Sequence, residues 1–172
     1  METDTFTTLV QVLQITTATS LIFLGGLSSC LSLWLIPLIS LLPPAQACRQ
    51  FTQTVTWGFQ YLQPSSRILG ASLLLTTVLT SRLADAEHAQ RWKLWAVALG
   101  ILVPVAPYEA LCIFPINDSV KRMGEQVRSG ADEKRVAPEL IRLLDRWRVR
   151  NYGRVVLPLV AGVVGWLGVV GR

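Results

Sequence analysis

Three long stretches of the chain contain no Asp, Glu, Lys, Arg or His. They cover Leu9–Leu42, Leu94–Tyr108 and Val155–Gly171. A run of about 18 or more mainly apolar residues is long enough to cross the hydrocarbon core of a bilayer as a helix. The first stretch exceeds this length, and the other two reach it together with their flanking residues. Backbone polar groups in that core must bond to one another, and a helix satisfies them within a single segment. These stretches therefore predict an all-α integral membrane protein.

The composition agrees with a membrane environment and not with a nucleic-acid partner. Of 172 residues, 51% are hydrophobic and 16% charged, and the mean hydropathy is +0.44. A soluble domain has about 25% charged residues. The net charge of +5 lies mostly between Lys121 and Arg154, beside an apolar stretch and without a DNA- or RNA-binding motif. We therefore expect the lipid bilayer as partner, and no nucleic acid.

Hydropathy predicts a bundle of four transmembrane helices in one domain, residues 1–172. The predicted spans are about 9–36, 66–81, 94–115 and 154–171. The second is short, because the fourteen residues between Arg67 and Arg82 make roughly 21 Å of helix. Either both arginines extend to the headgroups, or Arg67 turns inward to a polar cavity and joins a substrate site.

Prolines and an amphipathic pattern separate the first two spans. Pro37, Pro43 and Pro44 are expected to end the first span. The following segment places apolar residues at three- and four-residue spacing, namely Phe51, Val55, Phe59 and Leu62. This spacing predicts an amphipathic helix that lies at the membrane interface.

The fourth span carries a glycine at every third position. These residues are Gly162, Gly165, Gly168 and Gly171. Small residues in a membrane helix let another helix approach closely. The stripe therefore predicts close helix packing, and an oligomer could also form through it.

The distribution of Lys and Arg predicts the topology. With four spans, both termini and the loop between spans two and three share one side. That side holds Arg82, Arg91, Lys93 and Arg172, while the other side holds the remaining twelve of sixteen basic residues. Because basic loops stay in the cytosol, the loop of about 118–140 is predicted to be cytosolic and both termini to lie opposite. The N-terminus carries Glu2 and Asp4 instead of the basic residues with which a cleaved signal peptide begins. We therefore expect no cleaved signal peptide.

The stretch PVAPYEALCIFPIND, residues 104–118, combines three prolines with a carboxylate at the end of an apolar run. Proline removes a backbone donor and frees carbonyls that protein or water must then satisfy. Glu109 and Asn117 are eight residues apart, about two helical turns, so they can share a side. Glu109 either lines a polar pocket or lies at the interface and pairs with an arginine.

A second polar group of residues opens the fourth span in RWRVRNYGR. Trp147, Asn151 and Arg154 fall at i, i+4 and i+7, on one helix face. Many of the neighbouring arginines could be a solvated or lipid-facing charge run, the usual explanation for such clusters. Because this segment and Asn117 lie on the same predicted side, we expect Glu109, Asn117, Asn151 and Arg154 to converge.

The chain offers no obvious set of metal ligands. His88 is the only histidine, and Cys30, Cys48 and Cys112 are far apart without a CxxC pair. A single histidine without further ligands is more typical of a surface residue than of a metal or haem site. We predict no cofactor, and leave the identity of any bound metal open.

The stretches FPIND and RWRVRNYGR resemble the anthrone oxygenase-like family of small four-helix membrane proteins, in its fungal form. Members show a Pro-x-Asn element at the end of the third span, then Trp, Asn and Arg at the start of the last. Pro115, Asn117, Trp147, Asn151 and Arg154 occupy those places here. The likeness to fungal members implies a secretory-pathway membrane such as the endoplasmic reticulum.

The resemblance implies oxygenation of an anthrone to an anthraquinone by dioxygen in aromatic polyketide biosynthesis, a secondary-metabolite monooxygenase reaction. Such an enzyme needs a flat apolar pocket, a general base and donors for a developing oxyanion. Glu109 is the candidate base, and Asn117, Asn151 and Arg154 are candidate donors. Tyr108 and Trp147 could stack against the substrate rings.

Two other functions fit the same pattern. A non-catalytic helper or scaffold subunit of a biosynthetic pathway would use Asn151 and Arg154 to pin helix ends. A small transporter would also contain broken helices with buried charge, although the two halves show no inverted repeat.

Overall fold

The computed structural model describes residues 2–171, with side chains described for 4–171. Within this range every regular element is helical, so the all-α prediction is confirmed. The elements are α1 (Glu2–Cys30), π1 (Leu31–Leu35), α2 (Ile36–Ile39), α3 (Pro44–Trp57), π2 (Gly58–Leu62), α4 (Gln63–Thr80), α5 (Ala86–Gln90), α6 (Trp92–Leu102), α7 (Val105–Tyr108), π3 (Glu109–Ile113), α8 (Phe114–Arg128), α9 (Glu133–Arg150) and α10 (Tyr152–Val170). Residues 1 and 172, the ends of the predicted domain, lie outside the described residues, as does the Arg172 side chain used for topology.

Three helical runs among the described residues are long and apolar enough to cross a membrane. They are Asp4–Ile39, Ala86–Arg128 and Glu133–Val170, with mean hydropathies of 2.0, 2.0 and 1.9. These runs of 36, 43 and 38 residues far exceed the roughly 20 residues that a bilayer requires. Only part of each can therefore lie in hydrocarbon. The predicted second span falls in α4 and outside these runs, so a fourth crossing stays a prediction.

Three π-helical turns, in which hydrogen bonds run from residue i+5 back to residue i, interrupt the described helices. Each lies just before a proline: π1 precedes Pro37, π2 precedes Pro64 and π3 precedes Pro115. Proline lacks an N–H group and its ring crowds the carbonyl four residues earlier. A widened π turn is one way a helix accommodates such a disturbance. Pro37 therefore stays inside the helical run, which continues to Ile39, contrary to the expectation that it ends the first span.

The predicted loop at 118–140 is mostly helical. α8 continues to Arg128 and α9 begins at Glu133, so only four residues separate them. Gly130 adopts a left-handed φ of 96° in this turn, which glycine tolerates best. The carboxylate of Asp132 then accepts a hydrogen bond from the Lys134 backbone N–H at 3.0 Å and caps α9. Pro138 consequently lies inside α9 and not in its first turn.

The chain divides into two compact units. Unit 1 comprises 2–26, 64–104 and 156–171 among the described residues, and unit 2 comprises 27–63 and 105–155. The glycine stripe belongs to unit 1. A Cβ added at Gly162 would lie 2.7 Å from Ile22 Cγ1, and one at Gly165 would lie 3.0 Å from the Trp95 ring. The stripe therefore packs closely on its own chain, and an oligomer formed through it stays a prediction.

Unit 2 has a core between α3, α8 and α9. Phe51 is 1% exposed, and its ring meets that of Trp147 edge-on with centroids 5.7 Å apart. Phe59 packs against Phe114 with centroids 5.2 Å apart. Protein side chains thus cover much of the apolar face that predicted an interfacial helix. Its location at the membrane surface stays a prediction.

Candidate functional site

A small cavity in unit 2 collects the polar residues of both sequence stretches. About 30 Å³ of it is open to water-sized molecules, within an open cleft of about 400 Å³. Residues from all three π turns line it, and four of its lining side chains are Glu109, Asn117, Trp147 and Arg154. The remaining wall comes from Leu31, Thr54, Val55, Gly58, Phe59, Leu62, Gln63, Ile113 and Phe114.

Glu109 and Arg154 form an ion pair in this cavity. Arg154 Nε lies 2.6 Å from Glu109 Oε1, and their side chains are 16% and 11% exposed. A carboxylate removed from water to this degree needs a partner, because an unpaired buried charge is strongly destabilising. Glu109 opens π3 and Arg154 lies in the first turn of α10. Glu109 thus lines a pocket and also pairs with an arginine, while its location at the membrane interface stays a prediction.

Asn117 and Trp147 are hydrogen-bonded to each other at the cavity wall. Trp147 Nε1 donates a hydrogen bond to Asn117 Oδ1 at 2.9 Å. Because an indole N–H can only donate, this bond fixes which end of the Asn117 amide faces Trp147. Among the described residues, none accepts a hydrogen bond from Asn117 Nδ2. This amide therefore has donor capacity left for a ligand.

Asn151 lies behind the cavity and does not line it. It is fully buried and separates α9 from α10. Its Nδ2 donates to the Ser28 carbonyl at 2.9 Å and to Ser32 Oγ at 2.8 Å, which uses both amide hydrogens. Its Oδ1 accepts from Arg154 Nη1 at 3.5 Å. Contrary to the expected donor role, Asn151 has no N–H left for a substrate oxygen, and it contacts Arg154 instead.

The side chains of Tyr108 and Arg150 each donate a hydrogen bond to a backbone carbonyl of another helical segment. The Tyr108 hydroxyl donates to the Arg150 carbonyl, and Arg150 Nη1 donates to the Cys112 carbonyl at 3.1 Å. The first carbonyl lies at the break between α9 and α10, and the second lies in π3, where regular helical bonding is disturbed. Tyr108 does not line the cavity, so its predicted stacking against a substrate stays a prediction.

Comparison with known proteins places these residues in a family. The model of the family described as anthrone oxygenase matches residues 51–164. The chain belongs to the anthrone oxygenase family. The matched segment contains Glu109, Asn117, Trp147, Asn151 and Arg154.

One curated relative in this family is the anthrone oxygenase AgnL2 of Paecilomyces divaricatus. It is 28% identical over 154 residues, which cover 85% of this chain and 88% of the relative. No solved structure gives a significant match.

Among the described residues, the other arginines of this anthrone oxygenase family member do not line the cavity. Arg67 is exposed on α4 in unit 1 and does not line the cavity, so its role in substrate binding stays a prediction. Arg148 lies 3.4 Å from Asp145 and Arg142 lies 3.8 Å from Glu139, in pairs that are about half exposed or more. These exposed ion pairs are compatible with a solvated charge run.

The candidate metal ligands remain scattered. Among the described residues, no three His, Cys, Asp or Glu side chains form a group that could hold a metal ion. His88 is a surface residue, as predicted, with a side chain 41% exposed and Nδ1 2.9 Å from Asp85 Oδ2. The hydrogen bond from His88 lowers the pKa of the Asp85 carboxyl. The pKa of the buried Cys48 thiol is raised by desolvation and by the nearby Glu133 carboxylate.

Two parts of the site were missed in the sequence. One is the cavity wall between Thr54 and Gln63, where Pro64 was the available signal, because prolines follow all three π turns. The other is the Ser32 hydroxyl, which contacts Asn151. Its position inside a charge-free apolar stretch was the signal, since polar side chains at membrane depth are costly and therefore need a partner.

Proposed function

We propose that this protein oxygenates an anthrone-like aromatic substrate to its anthraquinone with dioxygen. The main structural support is the ion pair between Glu109 and Arg154, a carboxylate and a guanidinium that both line the cavity. Membership of the anthrone oxygenase family and likeness to a relative named as an anthrone oxygenase support this choice.

The first step is removal of a proton. In an anthrone, one carbon lies between two aryl rings and is conjugated through them to a carbonyl group. Its proton is therefore acidic, and the Glu109 carboxylate accepts it as general base. The resulting enolate carries negative charge on oxygen. Arg154 and Asn117 Nδ2 donate to that oxygen, and donors held in place before the reaction stabilise such charge effectively.

The second step uses dioxygen as the oxidant. The enolate carbon gives electrons to dioxygen and forms a C–O bond, and protonation yields a hydroperoxide. Loss of the remaining hydrogen on that carbon as a proton, with cleavage of the O–O bond, releases water and leaves a second carbonyl. The balance is anthrone plus dioxygen to anthraquinone plus water. One oxygen atom enters the product, and no external reductant is required.

The cavity dimensions bear on where the two substrates bind. About 30 Å³ of the cavity is open to water-sized molecules, enough for one or two of them. It suits dioxygen or water but is too small for three fused rings. We place the rings in the open cleft, where Phe59 is 43% exposed. Binding then requires the wall at 54–63 to move outward.

We propose that this reaction needs no metal or organic cofactor. The support is chemical, because an electron-rich enolate can itself reduce dioxygen. The scattered His, Cys, Asp and Glu side chains of the described residues are compatible with this proposal. Assaying metal on the purified protein tests it directly: stoichiometric metal that activity requires would contradict it.

We further propose a multi-pass arrangement with the 118–140 segment in the cytosol and both termini on the opposite side. The support is the twelve of sixteen Lys and Arg residues assigned to that side. A membrane of the secretory pathway, such as the endoplasmic reticulum, suits the fungal relative. Cysteine labelling at positions 130 and 85 in sealed vesicles tests the arrangement, since the two sites should react from opposite sides.

The deciding experiment measures turnover by the purified protein in detergent. Emodin anthrone is supplied, and oxygen uptake and quinone absorbance are followed against the spontaneous rate. Glu109→Gln should lower kcat by at least about a hundredfold, the lower range for loss of a general base. The matched control is Glu139→Gln, because Glu139 is exposed and pairs only with Arg142 at 3.8 Å.

The outcomes separate the enzyme from the other functions. Acceleration lost in Glu109→Gln and kept in Glu139→Gln supports the oxygenase. A folded wild-type protein that accelerates no anthrone tested would contradict the proposal and favour a helper subunit. Uptake of the anthrone into sealed vesicles without oxidation would favour a transporter.

A further inference from the structure

Ser32 is a buried hydroxyl that connects two segments of the site. It lies in π1 and is 1% exposed. Its Oγ donates to the Arg148 carbonyl at 3.2 Å and accepts from Asn151 Nδ2 at 2.8 Å. A hydroxyl has one hydrogen to donate, and a carbonyl can only accept. The direction of both bonds is therefore fixed.

The orientation of the Asn151 amide group is fixed by the same donor and acceptor argument. The Ser28 carbonyl can only accept, so Nδ2 must face Ser28 and Ser32. Oδ1 then faces Arg154, whose guanidinium can only donate. Arg154 is consequently contacted at Nη1 by the amide oxygen of Asn151 and at Nε by the carboxylate of Glu109. Two acceptors at different nitrogens restrain the orientation of its planar group.

We propose that Ser32 is a positioning residue for Arg154. By fixing the Asn151 amide, its hydroxyl orients the guanidinium that pairs with Glu109. The catalytic consequence rests on the proposed oxygenase function, whereas the effect on Arg154 does not. Ser32 lies outside the segment 51–164 that the family model matches, so family membership does not assign it this role.

Ser28 provides a matched control. It lies one helical turn before Ser32, is also buried at 3% exposure, and contributes its backbone carbonyl to Asn151. Ser28→Ala therefore removes a buried hydroxyl but keeps the bond to Asn151. Ser32→Ala also removes one buried hydroxyl, and it breaks the hydrogen bond from Asn151 Nδ2. A role limited to burial of a polar group would not distinguish the two variants in this way.

The kinetic test compares the variants on emodin anthrone. Loss of one orienting hydrogen bond should lower kcat by about fivefold in Ser32→Ala with KM within about twofold. Ser28→Ala should keep the wild-type kcat. In an Asn151→Ala background, adding Ser32→Ala should have no further effect, because groups that act through one another are not additive. Equal kcat in Ser32→Ala and wild type would overturn the proposal.

A second readout does not depend on turnover. In ¹⁵N-labelled protein in detergent, the Arg154 Nε–H signal, assigned through Arg154→Lys, should exchange slowly with water because it bonds Glu109. Exchange should be faster in Ser32→Ala and in Ser32→Cys, and unchanged in Ser28→Ala. Unchanged exchange in both Ser32 variants would refute the positioning role. An inactive wild type with this exchange pattern would defeat the oxygenase proposal while supporting the role of Ser32.

Discussion

Trp147 and Asn117 lie thirty residues apart in the chain and meet through a single hydrogen bond of 2.9 Å. Trp147 is 2% exposed and packs on Phe51, so the core of unit 2 fixes its ring. The indole N–H in turn fixes the Asn117 amide at the cavity wall. The core and the candidate site are therefore coupled through these two side chains.

Replacing Trp147 with Phe should destabilise the protein and disturb Asn117. The apolar contact with Phe51 is largely kept, but Asn117 Oδ1 loses its donor. We expect a loss of about 1 kcal/mol in the free energy of unfolding, the usual net contribution of one hydrogen bond, because Asn117 is only partly buried. Denaturant titration in detergent measures it. In a cycle with Asn117→Ala, strictly additive effects would contradict a direct coupling.

Gly153→Ala should destabilise unit 2. A Cβ at this position would overlap Tyr108 Cε1, so the ring must shift and weaken its bond to the Arg150 carbonyl. Overpacking of this kind costs about 1–3 kcal/mol. Gly100→Ala is the control, because nothing lies within 4 Å of its added Cβ. Equal melting temperatures for the two variants would show that the Tyr108 contact is unimportant.

Stability should fall at alkaline pH because of Cys48. Its folded-state pKa is raised above the ordinary value of 9.0 by burial and by Glu133. The stabilisation is therefore complete below about pH 9 and is lost as pH rises toward the folded-state pKa, since the unfolded chain releases its proton first. One such thiol adds a slope of at most about 1.4 kcal/mol per pH unit. Unfolding between pH 8 and 10.5 should show a shallower decline in Cys48→Ala than in wild type, and equal slopes would count against this thiol.

Thr80→Val should destabilise unit 1 without changing its shape. Gln14 Nε2 donates to Thr80 Oγ1 at 2.8 Å in a buried setting, and valine removes that acceptor. Hydrogen bonds between membrane helices contribute about 0.6 kcal/mol on average and up to about 1.7, so a loss in this range is expected. Thr77→Val is the control, since Thr77 bonds the Leu73 carbonyl of its own helix. A cost no larger than that of the control would argue against the interhelical bond.

Much of the local structure could be predicted from the sequence. The charge-free stretches identify helices that can cross a membrane, because apolar length alone decides that property. The prolines identify where helices are disturbed, but not how. Pro37 was expected to stop a helix, yet the chain forms a π turn and continues. Whether a helix stops or widens depends on the neighbours that satisfy its freed carbonyls, as Arg150 does for Cys112.

The residues of the candidate site could be predicted from the sequence, but the contacts between them could not. Glu109, Asn117, Trp147, Asn151 and Arg154 were singled out by their chemistry and by the family resemblance. Which arginine meets Glu109 could not be deduced, because several arginines lie in the same stretch and helical phase is lost at Asn151. The contacts of Ser32 were missed altogether, since they span 119 residues to Asn151 and no local periodicity carries that information.

The sequence by itself determined that this protein is helical, apolar enough to cross a membrane, and equipped with a carboxylate, amides and arginines near the end of its apolar runs. Only the tertiary structure decided that Arg154 pairs with Glu109 and that Asn151 lies behind them. It also decided that residues 54–63 form one wall of the cavity. The physical reason is that hydropathy and spacing act along one segment. Pairing depends on how distant segments pack and on which buried donors find acceptors there.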